Sequence, residues 1–208
     1  MVRVLRTAIL RGLLEEEETL RQADIASKLG VSHIPVREAF CQLAAEGLLS
    51  MHPNKGAVVI GLSPEDVAEI YNIRSILEVE ALRLAVPKLT PSVLSRCEFI
   101  LENAYRTQNV HEWGDLNWEF HETLYIPGES PCLLGIIKNL YANVDRYARL
   151  FFLKDTYRSS SLDEHSNILA SLKIGDFQRA LKALKEHLTK TSLFLVNQLH
   201  RRNSEAKN

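Results

Sequence analysis

Between Thr19 and Leu49 the chain reads TLRQADIASKLGVSHIPVREAFCQLAAEGLL, and this stretch restricts the fold more than any other. Ile25, Ala26 and Leu29 recur on one side of a first short helix, Gly30 can end it with left-handed backbone, and Val31 is expected to return the chain to the core. Ser32 is placed to cap a second helix, with Pro35 in its first turn, where a missing N–H costs little, and Val36, Ala39, Phe40 and Leu43 as its buried stripe. The other face offers His33, Ile34, Arg37, Glu38 and Gln42. Arg37 lies one turn in, the depth from which a guanidinium reaches guanine O6 and N7 or a phosphate. Two helices meeting this way predict a helix-turn-helix whose second member enters the major groove of duplex DNA.

After Gly47, LLSMHPNKGAVVI predicts a strand, a turn around Asn54 and Gly56, and a second strand. This reads as a wing with Lys55 near its tip. A preceding helix, about Val4 to Leu14, supplies Leu5, Ile9, Leu10 and Leu13 to the same small core. A helix pair joined by glycine is also a common packing unit of all-helical proteins. Residues 1 to 62 hold seven Lys or Arg against seven Asp or Glu, so bulk charge alone does not select nucleic acid. Four of those acids, Glu15 to Glu18, form one block expected in a loop, and without them the surface is locally basic. DNA contacts are expected from Arg3, Arg21, Ser32, His33, Arg37, Lys55 and Gly56, with Arg6 and Arg11 on the same face to be tested.

At 208 residues and 46% hydrophobic content the chain suffices for one domain or two modest ones. It has no apolar run near the ~18 residues a membrane span needs, and its start is too interrupted for a secretory signal, so a cytoplasmic protein is expected. Cys41, Cys97 and Cys132 lack paired spacing, and Cys41 and Cys97 are expected as buried thiols. Strand-like residues end at Gly61-Leu62-Ser63-Pro64, where Ser63 caps and Pro64 opens a helix. The fold class expected is mainly α: a winged helix-turn-helix domain over 1–62, then an all-helical bundle over 63–208.

Six helices are expected in the second part: about Pro64 to Val86, Ser92 to Thr107, His111 to Tyr125, Pro131 to Asp155, Ser161 to Lys173 and Asp176 to His200. The Gly175-Asp176 turn should fold the last two back as antiparallel neighbours. His165 is ten residues before that glycine and His187 twelve after it, so at about 1.5 Å per residue the two imidazoles stand level across the hairpin. Asn117 and His121, four apart, share a face of the third helix. Asn117, His121, His165 and His187 can therefore converge as three imidazoles and an amide oxygen, a donor set suited to divalent zinc, nickel, iron or manganese without selecting among them.

Arg74 sits on IYNIRSILEVEALRLA, whose apolar stripe is expected to be Ile70, Ile73, Leu77 and Ala81; Arg146 and Arg149 sit on the fourth helix near Tyr141. A buried guanidinium must be paired, either with an internal acid such as Glu78 or with a bound anion. Arg74, Arg146 and Tyr141 are thus the candidates for holding a carboxylate effector beside the metal.

With these elements in place the chain resembles the GntR family of bacterial transcription regulators, in the subfamily with a FadR-type C-terminal domain. The resemblance rests on LGVSHIPVREAFCQLAAEGLLSMHPNKGAVV and, more loosely, on YNIRSILEVEAL, NWEFH and EHSNILASLKIGDFQRALKALKEHL. Six helices make it look like the VanR-like branch. The resemblance implies a homodimeric repressor or activator on a palindromic operator, controlled by a small organic acid such as a sugar acid, hydroxy acid, dicarboxylate or aromatic carboxylate. The three family histidines match His121, His165 and His187, whereas metal-binding members usually carry aspartate where this chain has Asn117, which implies weaker metal retention. Arginine is usual at His33 and a polar residue at Ile34, while Arg37 is retained. No membrane partner is expected and no catalytic motif is present. The competing readings are a DNA-binding dimer whose helical domain is purely structural, and a metal-dependent hydrolase or lyase using Asp163, Glu164 or Glu119 as base. In the favoured reading the short joint at Gly61 to Ser63 transmits effector binding to the reading helices.

Overall fold

The structure, a computed structural model, describes residues 1–10, 12–53, 56–151 and 155–205, without the side chains of residues 146, 150, 155 and 156. The chain divides into two compact units, Met1–Leu62 and Ser63–Asn208.

The first unit holds α1 (Val2–Leu10), β1 (Thr19–Leu20), α2 (Gln22–Leu29), α3 (His33–Ala45), β2 (Leu49–His52) and β3 (Gly56–Val59). Val36, Ala39, Phe40 and Leu43 of α3 are fully buried, against Leu5 and Ile9 of α1 and Ile25 of α2. Gly30 ends α2 at φ 64°, and the Val31 N–H closes the turn onto the Ala26 carbonyl at 3.0 Å. Several expectations change. Leu29 and Val31 do not reach the core: they are 42% and 38% exposed, Leu29 at the end of α2 past its buried Ile25 and Ala26 and Val31 just beyond the left-handed Gly30. Ser32 occupies the cap position of α3 but its hydroxyl makes no capping bond. The first helix runs over Val2–Leu10 and ends before Leu13, which is exposed. Cys41, expected inside, is exposed, whereas Cys97 is buried and its thiol is pushed up to about 12 by desolvation.

The wing is part of a sheet ordered β1-β3-β2, both pairings antiparallel. Thr19 and Leu20 are therefore a short strand rather than the start of a helix. Pairing of Leu20 with Ala57 brings β1 so close to Gly56 that a Cβ there would stand 2.2 Å from the Leu20 carbonyl oxygen, and Gly56 also has φ 98°. Gly56→Ala should accordingly cost about 2–4 kcal/mol, read as a fall in denaturation midpoint with the second unit's helicity intact. Wild-type stability in that variant would remove the packing argument.

The second unit comprises α4 (Pro64–Ala85), α5 (Pro91–Arg106), α6 (Val110–Tyr125), α7 (Pro131–Phe151), α8 (Asp155–Lys173) and α9 (Phe177–Glu205), with single 3-10 turns at Val86–Lys88 and Ile126–Gly128. Ser63 starts α4 with a capping box: its hydroxyl accepts from Asp66 N–H and the Asp66 carboxylate from Ser63 N–H. The helices α4 and α9 form the main contact, with α7 and α6 also against α4 and α8 lying between α9 and α5. Helix α8 begins six residues before the expected Ser161. Tertiary contacts override its weak serine-rich propensity: Tyr157 donates to Thr191 Oγ1 at 2.7 Å and stacks on Phe194, and Arg158 Nη2 donates to the Ala104 carbonyl at 2.8 Å, near the end of α5.

The buried seam of α4 differs most from expectation. It is Val67, Tyr71, Arg74, Glu78, Ala81, Leu82 and Ala85, while Ile73 is 40% exposed and Ile70 and Leu77 are only half-buried. A seam of two opposite charges and a phenol is buried because they satisfy one another, as follows.

Candidate functional site

Five helices turn polar side chains inward, each pair or triplet at the three- or four-residue spacing that shares a helix face: Tyr71, Arg74 and Glu78 on α4; Asn117, His121 and Tyr125 on α6; Tyr141 and Asp145 on α7; Ser161 and His165 on α8; His187 and Thr191 on α9. Most of them line one narrow cleft.

His121, His165 and His187 are all buried. His165 Nε2 stands 3.1 Å from His121 Nε2 and 3.1 Å from His187 Nε2. The outer nitrogens decide what those inner atoms carry. His187 Nδ1 bonds the Glu164 carboxylate at 2.8 Å, an acceptor only, so its proton sits on Nδ1. Tyr125 gives its hydroxyl proton to Glu78 at 2.7 Å, so its oxygen accepts from His121 Nδ1 at 3.1 Å. Both rings thereby present an Nε2 lone pair to the centre, the tautomer that a metal takes. Desolvation, then the neighbouring imidazoles, hold His121 and His165 well below the usual histidine range, with Arg74 adding to the effect at His121. These rings stay uncharged near neutral pH. Two nitrogens each about 2.05 Å from one cation stand about 2.9 Å apart at a right angle and about 3.3 Å at the tetrahedral angle, so the two spacings of 3.1 Å, in a set whose three donor atoms lie within 4.8 Å of one another, are compatible with a shared divalent ion.

Asn117 lines the same cleft. Its Nδ2 donates to the Tyr141 hydroxyl at 3.1 Å, which donates to the Gly114 carbonyl, leaving Asn117 Oδ1 without a protein partner among the described residues. Arg74 pairs with Glu78 at 2.7 Å, both side chains buried, and its guanidinium lies 4.6 Å and 5.1 Å from the Tyr71 and Tyr141 ring centres. Glu78 is thus the acid that balances Arg74, while the guanidinium still borders the cleft. Lys55 and the side chain of Arg146, both expected at sites, lie outside what the structure describes. Sequence reasoning gave no role to Tyr125, although its position four residues after His121 is a legible signal, and saw Glu164 only as a possible base. Asp145, four residues after Tyr141, went unmentioned.

On the first unit, His33, Ile34, Arg37, Glu38 and Gln42 all lie exposed along one side of α3, and Arg3, Arg21 and Ser32 are exposed too. Arg6 is committed elsewhere: it grips Glu46 through Nε at 2.9 Å and Nη2 at 2.6 Å. Arg11 is outside the described residues.

Among the described residues no helix is long and apolar enough to cross a membrane. Residues 2–59 match the model of the bacterial regulatory proteins of the gntR family, and residues 69–190 match the FCD domain. The transcriptional repressor RspR of Escherichia coli K12 is 28% identical over 98% of this chain and 90% of its own length. The gluconate operon transcriptional repressor of Bacillus subtilis strain 168 is 30% identical over 88% of this chain and 78% of its own. The solved structure of E. coli McbR/YncC superposes with a TM-score of 0.82 at 25% identity, covering 95% of both chains. The chain therefore belongs to the gntR family, as a non-enzymatic, DNA-binding transcription regulator whose C-terminal FCD domain takes a small-molecule effector.

Proposed function

We propose that residues 1–62 bind operator DNA and residues 63–208 bind a small organic acid together with a divalent metal ion, the acid changing operator affinity. The observation that carries this reading is the buried cluster of His121, His165 and His187, with the Nε2 lone pairs of His121 and His187 turned inward, beside the buried Arg74. These imidazoles, with Asn117 Oδ1 as a neutral fourth donor, hold the ion; when bound it supplies a Lewis-acidic contact for a carboxylate. Arg74, with Tyr141, orients the acid from the side of α4 and α7. Arg37, His33, Ser32, Arg3 and Arg21 contact DNA, with Lys55 and Gly56 placed in the wing by the sequence. Six helices among the described residues of the second unit support the VanR-like branch, and the family pattern favours a homodimer on a palindromic operator.

The test is selection of duplexes from a random pool by the full chain, followed by titration of the selected site. A palindromic site should emerge, Arg37→Ala should weaken it, and an organic acid should shift its affinity about 5- to 150-fold. Operator affinity indifferent to every acid tried would leave only a DNA-binding dimer with a structural helical domain.

A further inference from the structure

The inference concerns Asp145 and rests on the proposed acid-binding function. Asp145 is 3% exposed and lines the cleft together with Tyr71 and Arg74 of α4. Its Oδ2 accepts from Arg149 Nε at 2.7 Å, but its Oδ1, equally shielded from solvent, has no hydrogen-bond partner among the described residues. A carboxylate oxygen buried with nothing donating to it is costly. The surrounding groups do not relieve it. Arg149 is fixed by the His111 carbonyl at 2.5 Å and by Asp115 at 2.8 Å, and it rests so closely on Gly114 that a Cβ there would be 2.7 Å from its Cζ. The Tyr141 hydroxyl lies close enough to interact with the Asp145 carboxyl, but its single proton is directed to the Gly114 carbonyl at 3.1 Å, and Asn117 sends its amide hydrogen to Tyr141.

We propose that Asp145 is the selectivity residue of the cleft: Oδ1 accepts a hydrogen bond from a hydroxyl of the bound acid, so the domain favours hydroxylated acids over their deoxy counterparts. Arg149 already balances the charge of Asp145, so the remaining requirement is a directional neutral donor rather than an ammonium group. A ligand anchored by its carboxylate at the imidazoles and Arg74 meets this oxygen with its chain. Discrimination arises because the deoxy acid leaves Oδ1 unpaired when it displaces water from the cleft.

The experiment measures calorimetric affinities of the full chain, with and without added zinc, for matched acids: glycerate and propionate, threonate and butyrate, gluconate and hexanoate, with 4-aminobutyrate and 6-aminohexanoate as ammonium probes. At least one hydroxylated acid should bind about 10- to 100-fold tighter than its deoxy partner and than the amino acid of the same length. Asp145→Asn should narrow that ratio to within about threefold. Equal binding within every pair, tighter binding of an amino acid, or a ratio unchanged in Asp145→Asn overturns the assignment while leaving the acid-binding function standing. Failure of every acid to bind removes both. If Asp145→Asn does not fold, the matched pairs on the unaltered chain still decide.

Discussion

Glu78→Ala is expected to destabilise the helical unit by about 3–5 kcal/mol, enough to leave much of it unfolded at physiological temperature. Glu78 is fully buried and serves two groups at once: one oxygen takes Arg74 Nε at 2.7 Å and the other takes the Tyr125 hydroxyl at 2.7 Å. Truncation leaves a guanidinium and a phenol in the interior without an acceptor, and desolvation of the unpaired charge dominates the cost. Burial by itself would lower the Arg74 pKa, yet the Glu78 charge more than offsets it, and because a guanidinium keeps its charge, removing Glu78 strands a buried cation. Arg74→Met combined with Glu78→Leu should recover most of the loss, since neither charge is then stranded, but the double variant should bind no acid. Denaturant unfolding followed by far-UV circular dichroism checks both. A Glu78→Ala protein as stable as the wild type would show that the pair is not what holds the α4 seam.

The same pair shows where sequence periodicity misleads. Along α4 the apolar residues Ile70, Ile73 and Leu77 suggest one buried stripe, but the helix is rotated so that Tyr71, Arg74 and Glu78 face inward. Hydrophobic pattern alone cannot anticipate this, because the stabilisation comes from partners on α6 and α7 that lie far along the chain. Leu29 and Val31 fail for a different reason: Leu29 closes α2 past its buried Ile25 and Ala26, and Val31 follows the left-handed Gly30 turn. The reading helix and the histidine hairpin were legible because each depends on local arithmetic, a stripe at helical spacing in α3 and nearly equal distances from Gly175 in α8 and α9. The free oxygen of Asp145 was illegible, since it exists only through the locking of Arg149 by groups on α6.

Replacing His165 and His187 by alanine together should reduce divalent-ion affinity by well over about 100-fold, with helicity retained. These two rings supply adjacent Nε2 atoms on antiparallel helices, so their loss removes two donors and leaves His121 and Asn117, too few for a retained ion. The outer contacts make a sharper test than the ligands. Glu164 fixes the His187 tautomer through Nδ1 and is itself held by Lys190 at 3.0 Å; burial raises its pKa, but bonds and charge from His187 and Lys190 prevail and keep it low. Glu164→Gln should therefore weaken the ion about 10- to 100-fold without removing any donor, since an amide supports the tautomer less firmly than a carboxylate. Asn117→Asp should act in the opposite direction by placing a negative charge where the chain has a neutral oxygen. Zinc titrations against a competing chelator rank the variants: Asn117→Asp above the wild type, Glu164→Gln below it and the double histidine variant lowest. Wild-type affinity in the double variant would mean that the imidazoles are packing groups, and the effector cleft would then bind its acid through Arg74 and Asp145 alone.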